Sequence, residues 1–378
     1  MDELQTLPKL VDCLRRQSMQ NFTIYICVNQ PDSWWGDGNP EHLSTCLNNA
    51  KLLAMLPQLC PNAVVIDRST KGSGWSGRKK GVGWARKELF SCILNRCDEN
   101  DIIVSLDADT TFPDDYLEIV QQAMVANPEA GAVQVPYYHK LSNNDEADRR
   151  LLRYECYMRH YFCNLLAIDN PHAISALGSA MAFTAQAYRR AGGITPLQGG
   201  EDFYLMEKFA KTTLILCTLD SCVYPSGRLS QRVPFGTGPA MGMNLDEQAA
   251  HYPFYNSTAF GLVKETFAMF PALYEHDIET PMSQFLRQQL GTDDLWSPLR
   301  KNFKTKELFV RACAEKVDGL RILQFLRHTQ QTQPPDAVPV DFKSDTVEEL
   351  DRYRNTLVTR ELALRKEKKF AGIARYSK

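Results

Sequence analysis

Four short apolar runs, with helical stretches read before the first and after the second and third, constrain this 378-residue chain more than any other feature. "FTIYICV" (22–28), "AVVID" (63–67), "DIIVSLDAD" (101–109) and "GAVQVPYY" (131–138) read as buried strands. Leu7, Leu10, Val11 and Leu14 have the i, i+3, i+4, i+7 spacing of a one-sided helix. A second helix is predicted from Gly81 to Leu94, and a third through Tyr116, Ile119, Val120, Ala123 and Met124. Strands alternating with helices predict an α/β fold: a mostly parallel, Rossmann-like sheet flanked by helices. In such sheets, ligands sit beyond the carboxyl ends of the strands.

Further along, "ADRRLLRYECYMRHYFCNLLA" (147–167) reads as a long helix, and 235–330 as mainly helical. "QQTQPPDAVPVDF" is a Pro-rich linker, and 345–371 a last helix through Leu350, Tyr353, Leu357 and Leu364. No internal repeat is present. The expected domains are 1–235 (the α/β region), 236–344 (a helical extension) and 345–378 (a basic helix and tail). The last 19 residues hold seven Lys/Arg and two Glu. They read as a solvated basic face, with contact to a membrane surface as the other use.

Composition excludes several classes. With 44% hydrophobic and 23% charged residues, the chain is ordinary for a globular protein and far from disordered. A net charge of −2 gives no global attraction to nucleic acid, so anion binding must come from local clusters. Eleven scattered cysteines, with no C-x-x-C pair, argue against a zinc site or a disulfide framework. Reduced thiols fit a cytoplasmic protein. No apolar run approaches the roughly 18 residues that span a bilayer. The first residues, "MDELQTLPKL", are acidic and amphipathic, unlike a signal peptide, so "NFT" at 21 and "NST" at 256 are read as chance sequons.

The richest stretch is "IIVSLDADTTF". An apolar strand delivers Asp107 and Asp109 to the sheet edge, and alternation along an extended chain predicts that both point the same way. Two carboxylates on one side make a hard oxygen site for Mg²⁺ or Mn²⁺, which takes further ligands from phosphate and water. One Asp after a strand is commonly only a polar turn; two are less commonly so. "DADTTF" also fits the D-x-D-x-T pattern of aspartyl-phosphate phosphatases, with Asp107 as nucleophile. That motif normally follows the first strand of its domain, however, and here two strands precede it.

Two loops accompany it. "KGSGWSGRKKG" (71–81) holds glycines at 72, 74 and 77, followed by Arg78, Lys79 and Lys80. A dinucleotide fingerprint would put its first Gly at the strand end and run its third into an apolar helix. Here Arg68 to Lys71 intervene and three cations follow, which counts against that fingerprint and leaves open what other phosphate the loop could hold. In "GGITPLQGGEDFYLMEKF", paired glycines precede Glu201 and Asp202, which open a helix through Leu205, Met206 and Phe209. Acidic residues there are often caps, and that reading wins for the feature in isolation.

Taken together, the Asp-Ala-Asp strand, "GSAMAFTAQAYRRAGG" and the Gly-Gly-Glu-Asp helix start resemble family 2 glycosyltransferases of the GT-A fold, over residues from about 4 to about 235. "YPSGRLSQRVPFGTG" (224–238) is similar to the basic segment that closes over the diphosphate, and departs from the Q-x-x-R-W motif of processive synthases. The resemblance implies an inverting, metal-dependent transfer of a hexosyl or related group in glycan or polysaccharide biosynthesis. The donor is a nucleotide-diphosphate sugar, UDP-sugar in the first place, and the acceptor a glycan or lipid-linked hydroxyl. Asp109 is expected to bind Mg²⁺ or Mn²⁺, with Asp107 assisting or contacting the ribose. Asp202 is the expected general base and Glu201 its orienting partner. Arg78, Lys79, Arg228 and Arg232 are expected at the diphosphate. Trp75 and the aromatics from Tyr154 to Phe162 read as core packing, with the acceptor site as the alternative. A non-catalytic nucleotide-sugar-binding relative would keep the same Asp pair. The resemblance also implies a central first strand, whereas this chain starts at the helix that follows it. Its absence is expected to leave neighbouring strands with unpaired backbone groups.

Overall fold

The computed structural model describes residues 2–77, 79–175, 177–230 and 236–377. In chain order the elements are α1 (Leu7–Arg15), β1 (Tyr25–Asn29), α2 (Pro40–Leu59), β2 (Val64–Arg68), α3 (Val82–Leu94), β3 (Ile102–Ser105), α4 (Tyr116–Val125) and β4 (Ala130–Gln134). They continue with α5 (Asp145–Ala167), β5 (Met181–Thr184), α6 (Ala185–Arg190), α7 (Glu201–Thr212), β6 (Leu214–Leu216) and α8 (Thr237–Met241). The rest is α9 (Leu245–His251), α10 (Ser257–Met269), α11 (Ser283–Leu290), α12 (Ser297–Asn302), α13 (Lys306–Lys316), α14 (Gly319–Thr329), α15 (Val347–Glu367) and β7 (Phe370–Ala371). Helices flank short strands throughout, as an α/β fold requires.

The chain forms two compact units that interleave along the sequence. The first comprises residues 1–140, 176–206 and 219–242, and the second 141–175, 207–218 and 243–378. The boundaries read from composition, at 235 and 344, follow the chain in order; the compact units do not.

In the first unit, β1 and β2 pair in parallel, Tyr25 opposite Val64, as a two-stranded sheet of their own. β3 and β4 both pair antiparallel with β5, which lies between them, so β3 and β4 run the same way. β5 is the reversed strand that simple alternation does not foresee. The sheet is thus in two pieces, and β1 and β3 each present an edge with no strand partner among the described residues. α3 packs on β1, α4 on β4, and α6 on β5 and β4. Phe90 of α3 meets Phe183 of β5 and Tyr188 of α6, with ring centroids 5.4 and 5.2 Å away. All three rings are buried, and burying each is worth about 1.5–3 kcal/mol. That contact fixes α3 against β5 and decides where the rest of its face points.

The 20-residue α2 is not foreshadowed by the apolar periodicity. Asn39 caps it by accepting from the Glu41 amide, and Pro40 occupies its first turn. Cys46, Asn49, Leu52 and Leu56 face inward while Leu43, Leu47 and Met55 remain exposed, so apolar residues surround the helix.

In the second unit, α15 lies along α5. Its buried residues are Leu350, Arg354, Leu357, Glu361 and Arg365, so one charged stripe is turned inward. Arg360, Lys366 and Lys369 of the basic tail are exposed and, among the described residues, only Arg365 is buried against the expected solvated face. The reason is pairing. Arg159 of α5 bonds Glu155 and Glu361, Arg354 bonds Glu155 and Asp351, and Arg365 bonds Glu361 and the Cys217 carbonyl. The Pro-rich stretch is also packed in this unit. Asp336 donates its amide to the Phe254 carbonyl, and Phe342 stacks on Phe254. β6 and β7 pair antiparallel. Tyr154, Tyr157 and Phe162 are buried in α5, so their core role is the one seen. The cysteines are all free thiols. Among the described residues, no helix is long and apolar enough to cross a membrane.

Candidate functional site

The site grows from one face of α3. Arg86 lies one turn before Phe90, and residues four apart share a helix face. Because Phe90 is locked against β5, Arg86 is delivered to the segment entering β5 and to the turn leaving β3. There its Nη2 donates to Asp107 Oδ1 at 2.5 Å and its Nη1 to Glu201 Oε1. Ser179 Oγ donates to the other Asp107 oxygen at 2.8 Å. Ser105, the last residue of β3, ties the same corner down by donating to the Gly178 carbonyl at 2.8 Å.

Gly178 is required by space. A Cβ there would lie 2.0 Å from Arg86 Nη2. Gly200 is required by backbone shape, since its φ of 72° lets the loop turn directly into α7. α7 anchors itself through Leu205, Met206 and Phe209, all buried as its spacing predicts. Glu201 is consequently buried against Arg86, and the half-buried Asp202 follows, accepting from the Phe203 amide at 2.8 Å.

The electrostatics follow from one cation among several carboxylates. Burial works against the Arg86 charge, but Asp107, Glu201 and Asp202 more than offset it and hold the guanidinium above the ordinary arginine range. Burial and the Glu201 charge push Asp202 up to about 6, with Arg86 acting the other way.

Asp107 and Asp109 do not point together. β3 ends at Ser105, and a turn closed by the Thr110 amide on the Asp107 carbonyl, at 3.1 Å, replaces the extended alternation assumed from sequence. Asp107 faces Arg86, while Asp109 Oδ2 meets Arg228 Nε at 2.9 Å. Arg228 also donates to both oxygens of Glu3, at 2.5 and 2.7 Å. The segment before it is held in place by Tyr224, whose amide and carbonyl bond Thr111.

The glycine loop departs from expectation. The Gly72 and Gly74 amides donate to Asp32 Oδ1 at 2.6 and 3.3 Å, so a side chain of the protein itself fills the cradle read as a phosphate loop. Trp75 is buried, its indole bonding Asn29, which makes it a core residue. Lys79 is exposed with its ammonium 5.3 Å from the Trp84 ring. Arg78 and Arg232 lie outside the described residues.

The structure thus brings Asp107, Glu201 and Asp202 together, sets Asp109 and Arg228 beside each other, and leaves Lys79 on the surface. Sequence reasoning missed Arg86, Ser179 and Glu3. Arg86 had a signal: it is the cation on the inward face of α3, four residues before a buried Phe. Among the described residues no three acidic, His or Cys side chains gather as a metal cluster. Asp107 and Asp109 do not form the joint oxygen site expected from sequence; a single carboxylate, that of Asp109, is what suits a cation taking most of its ligands from phosphate and water.

Residues 102–239 match the family model described as glycosyl transferase family group 2. No curated protein matches the chain. Among solved structures, the chain is similar to the mannosyltransferase PcManGT from Pyrobaculum calidifontis in complex with GDP-Man and Mn²⁺. That similarity has 14% identity and a TM-score of 0.35, over 96% of this chain and 83% of that one. It is also similar to GalNAc-T7 with UDP, GalNAc and Mn²⁺, at 12% identity and a TM-score of 0.37, over 89% of this chain and 56% of that one. The chain therefore spans just over half the length of the second structure.

Proposed function

We propose that this chain, a family 2 glycosyltransferase over residues 102–239, transfers a sugar from a nucleoside-diphosphate sugar to an acceptor hydroxyl with inversion. The observation that carries the reading is the buried Arg86, which joins Asp107 at the end of β3 to Glu201 at the start of α7. Through that bridge, Asp202 is held beside the carboxyl end of β3, where a donor in an α/β fold sits.

Each residue then has a task. Asp202 takes the proton from the acceptor hydroxyl. A carboxyl pushed up to about 6 is ionised at neutral pH yet more basic than an ordinary aspartate. Glu201 is a positioning residue: buried on Arg86, it fixes the first turn of α7 and raises the basicity of its neighbour. Asp107, with both oxygens engaged, orients the donor's ribose side. Arg228 is the described cation offered to the diphosphate; Lys79, on the surface beside Trp84, is not placed there. Asp109 would hold Mg²⁺ or Mn²⁺, which when bound neutralises charge on the departing diphosphate, while Asp107 stays turned to Arg86 and Ser179. The phosphatase alternative needs a lysine beside Asp107 as nucleophile; among the described residues, the cation bonded there is Arg86.

The test is Asp202→Asn, assayed over a panel of UDP- and GDP-sugars with Mn²⁺. Nucleotide affinity should stay near that of the parent while turnover falls about 10²-fold or more, the scale of general-base loss. Unchanged turnover would make Asp202 only a helix cap. Loss of nucleotide affinity would move it into the donor site.

A further inference from the structure

We propose that His172 is held doubly protonated in the folded protein, as a pH-sensitive latch between α7 and the junction of α13 with α14. The ring is fully buried, and each of its nitrogens faces an acceptor. Nδ1 meets Glu207 Oε1 of α7 at 3.2 Å, and Nε2 meets the Ala314 carbonyl of α13 at 2.9 Å. A neutral imidazole has one N–H to donate, so it would turn a lone pair towards one of those oxygens. The imidazolium donates to both. All of these groups lie in the second compact unit. The helix they grip is the one that Glu201 and Asp202 open.

Glu207 is built into the same corner. Its other oxygen accepts the Gly319 amide at 3.2 Å, at the start of α14, where negative charge is favoured. A side chain at Gly319 would run into that carboxylate. The neighbouring charges do not replace the ring. Lys211, one turn along α7, pairs with Asp318 at 2.8 Å, and Arg311 of α13 pairs with Glu315. On the segment of His172 itself, Asp169 pairs with Arg375. From α10 the uncharged Phe267 ring approaches edge-on. Among the described residues, the cation paired with Glu207 is therefore His172.

Burial works against charge on the ring, but Glu207, the Ala314 carbonyl and Asp318 more than offset it and raise its pKa above the ordinary 6.5. The latch then contributes its full stability below about pH 6.5, where the unfolded chain is protonated too. That contribution is lost as pH rises through the higher folded value. One acceptor is then left facing a lone pair, and the buried Glu207 loses the cation paired with it.

NMR of the whole chain, with nitrogen-15 in its histidine rings, reads the proton directly. The His172 signal is assigned by its loss in His172→Gln, by its shift in Glu207→Gln, or by the slow exchange of its buried ring protons. Its titration midpoint should lie above about 6.5, the ordinary histidine value. A midpoint at or below that value overturns the proposal, whether or not the variants fold. Melts of the parent and both variants from pH 5 to 9 read the consequence. The parent should melt higher than either variant below about pH 6.5, and the gap should narrow steadily as pH rises. Asp202 titrates in all three and cancels from the comparison. A gap that stays constant from pH 5 to 9 would make the contact ordinary packing and also overturn the latch.

Discussion

Two clusters of buried charge in this molecule look alike and differ in balance. Between α5 and α15, Arg159, Arg354 and Arg365 interleave with Glu155, Glu361 and Asp351, and the three arginines are each 1% exposed. Around Arg86, a single described guanidinium faces Asp107, Glu201 and Asp202, and the Asp107 side chain is 40% exposed. The first cluster matches three cations to three anions, and its arginines are closed to solvent. The second holds surplus negative charge and an open side, which is the state of a site that expects a cationic or hydrogen-bond-donating ligand. Buried arginine alone does not mark function. Imbalance at an accessible edge does.

The comparison breaks most directly at its arginines. Arg159→Met removes one cation from the closed cluster and leaves Glu155 with Arg354 and Glu361 with Arg365, two carboxylates each short of one buried arginine. The expected loss of unfolding free energy is about 3–5 kcal/mol, the usual cost of breaking a buried pair, read from urea melts. Arg86→Met lets Asp107 turn to water but leaves the buried Glu201 without its arginine, so it should cost a similar amount of stability and, unlike Arg159→Met, should also cost Mn²⁺-dependent nucleotide affinity. Nucleotide binding left untouched by Arg86→Met would remove the distinction between the clusters.

A smaller change sharpens the same point. Gly178→Ala puts a methyl group where Arg86 Nη2 lies, so the guanidinium must shift off Asp107. Overpacking of this kind costs about 1–3 kcal/mol. Nucleotide affinity should fall with the displaced Asp107, and Arg86→Lys, thinner at its tip, should relieve the clash in the double variant. If Gly178→Ala binds nucleotide like the parent, the Arg86–Asp107 contact does not organise the site.

How much of this was legible in the sequence depended on whether the signal was local. α1, α3, α4, α5, α7 and α15 carry one-sided apolar spacing and were readable. α2 was not, because Leu43, Leu47 and Met55 on its exposed face erase the periodicity. The strand before Asp107 was readable, but its end was not. Hydrophobic runs do not announce a turn, and the turn sends Asp107 and Asp109 to different arginines. The glycine loop shows a further limit. Its amides suit any anion, and only the fold reveals that Asp32 already occupies them. Glu201 and Asp202 were legible as a pair, whereas their partner Arg86 lies 115 residues away in the chain. The inward tilt of Arg354 and Arg365 also needed the second helix to be seen, since a basic stripe reads as solvated until acidic partners are placed opposite it.

The smallest expected effect is a pH dependence that carries the charge imbalance into stability. Burial and Glu201 raise Asp202 from an ordinary 3.8 to about 6 in the folded protein. A raised pKa means that the fold prefers the neutral acid over the carboxylate. The preference contributes its full stability below about pH 4, where both folded and unfolded chains are protonated. It is lost as pH rises through about 6, where the folded protein must carry the charge. Asp202→Asn never carries that charge. At pH 7 the variant should therefore melt higher than its parent, by a few degrees at most, and the difference should shrink steadily to nothing near pH 4. Parallel melts from pH 3.5 to 8 read the trend directly. Activity should move the opposite way in the parent, rising through pH 6 as the base ionises. A variant that melts lower than its parent at pH 7 would mean that the ionised Asp202 is stabilised by its surroundings. The surplus charge around Arg86 would then be compensated after all, and the two clusters would be of one kind.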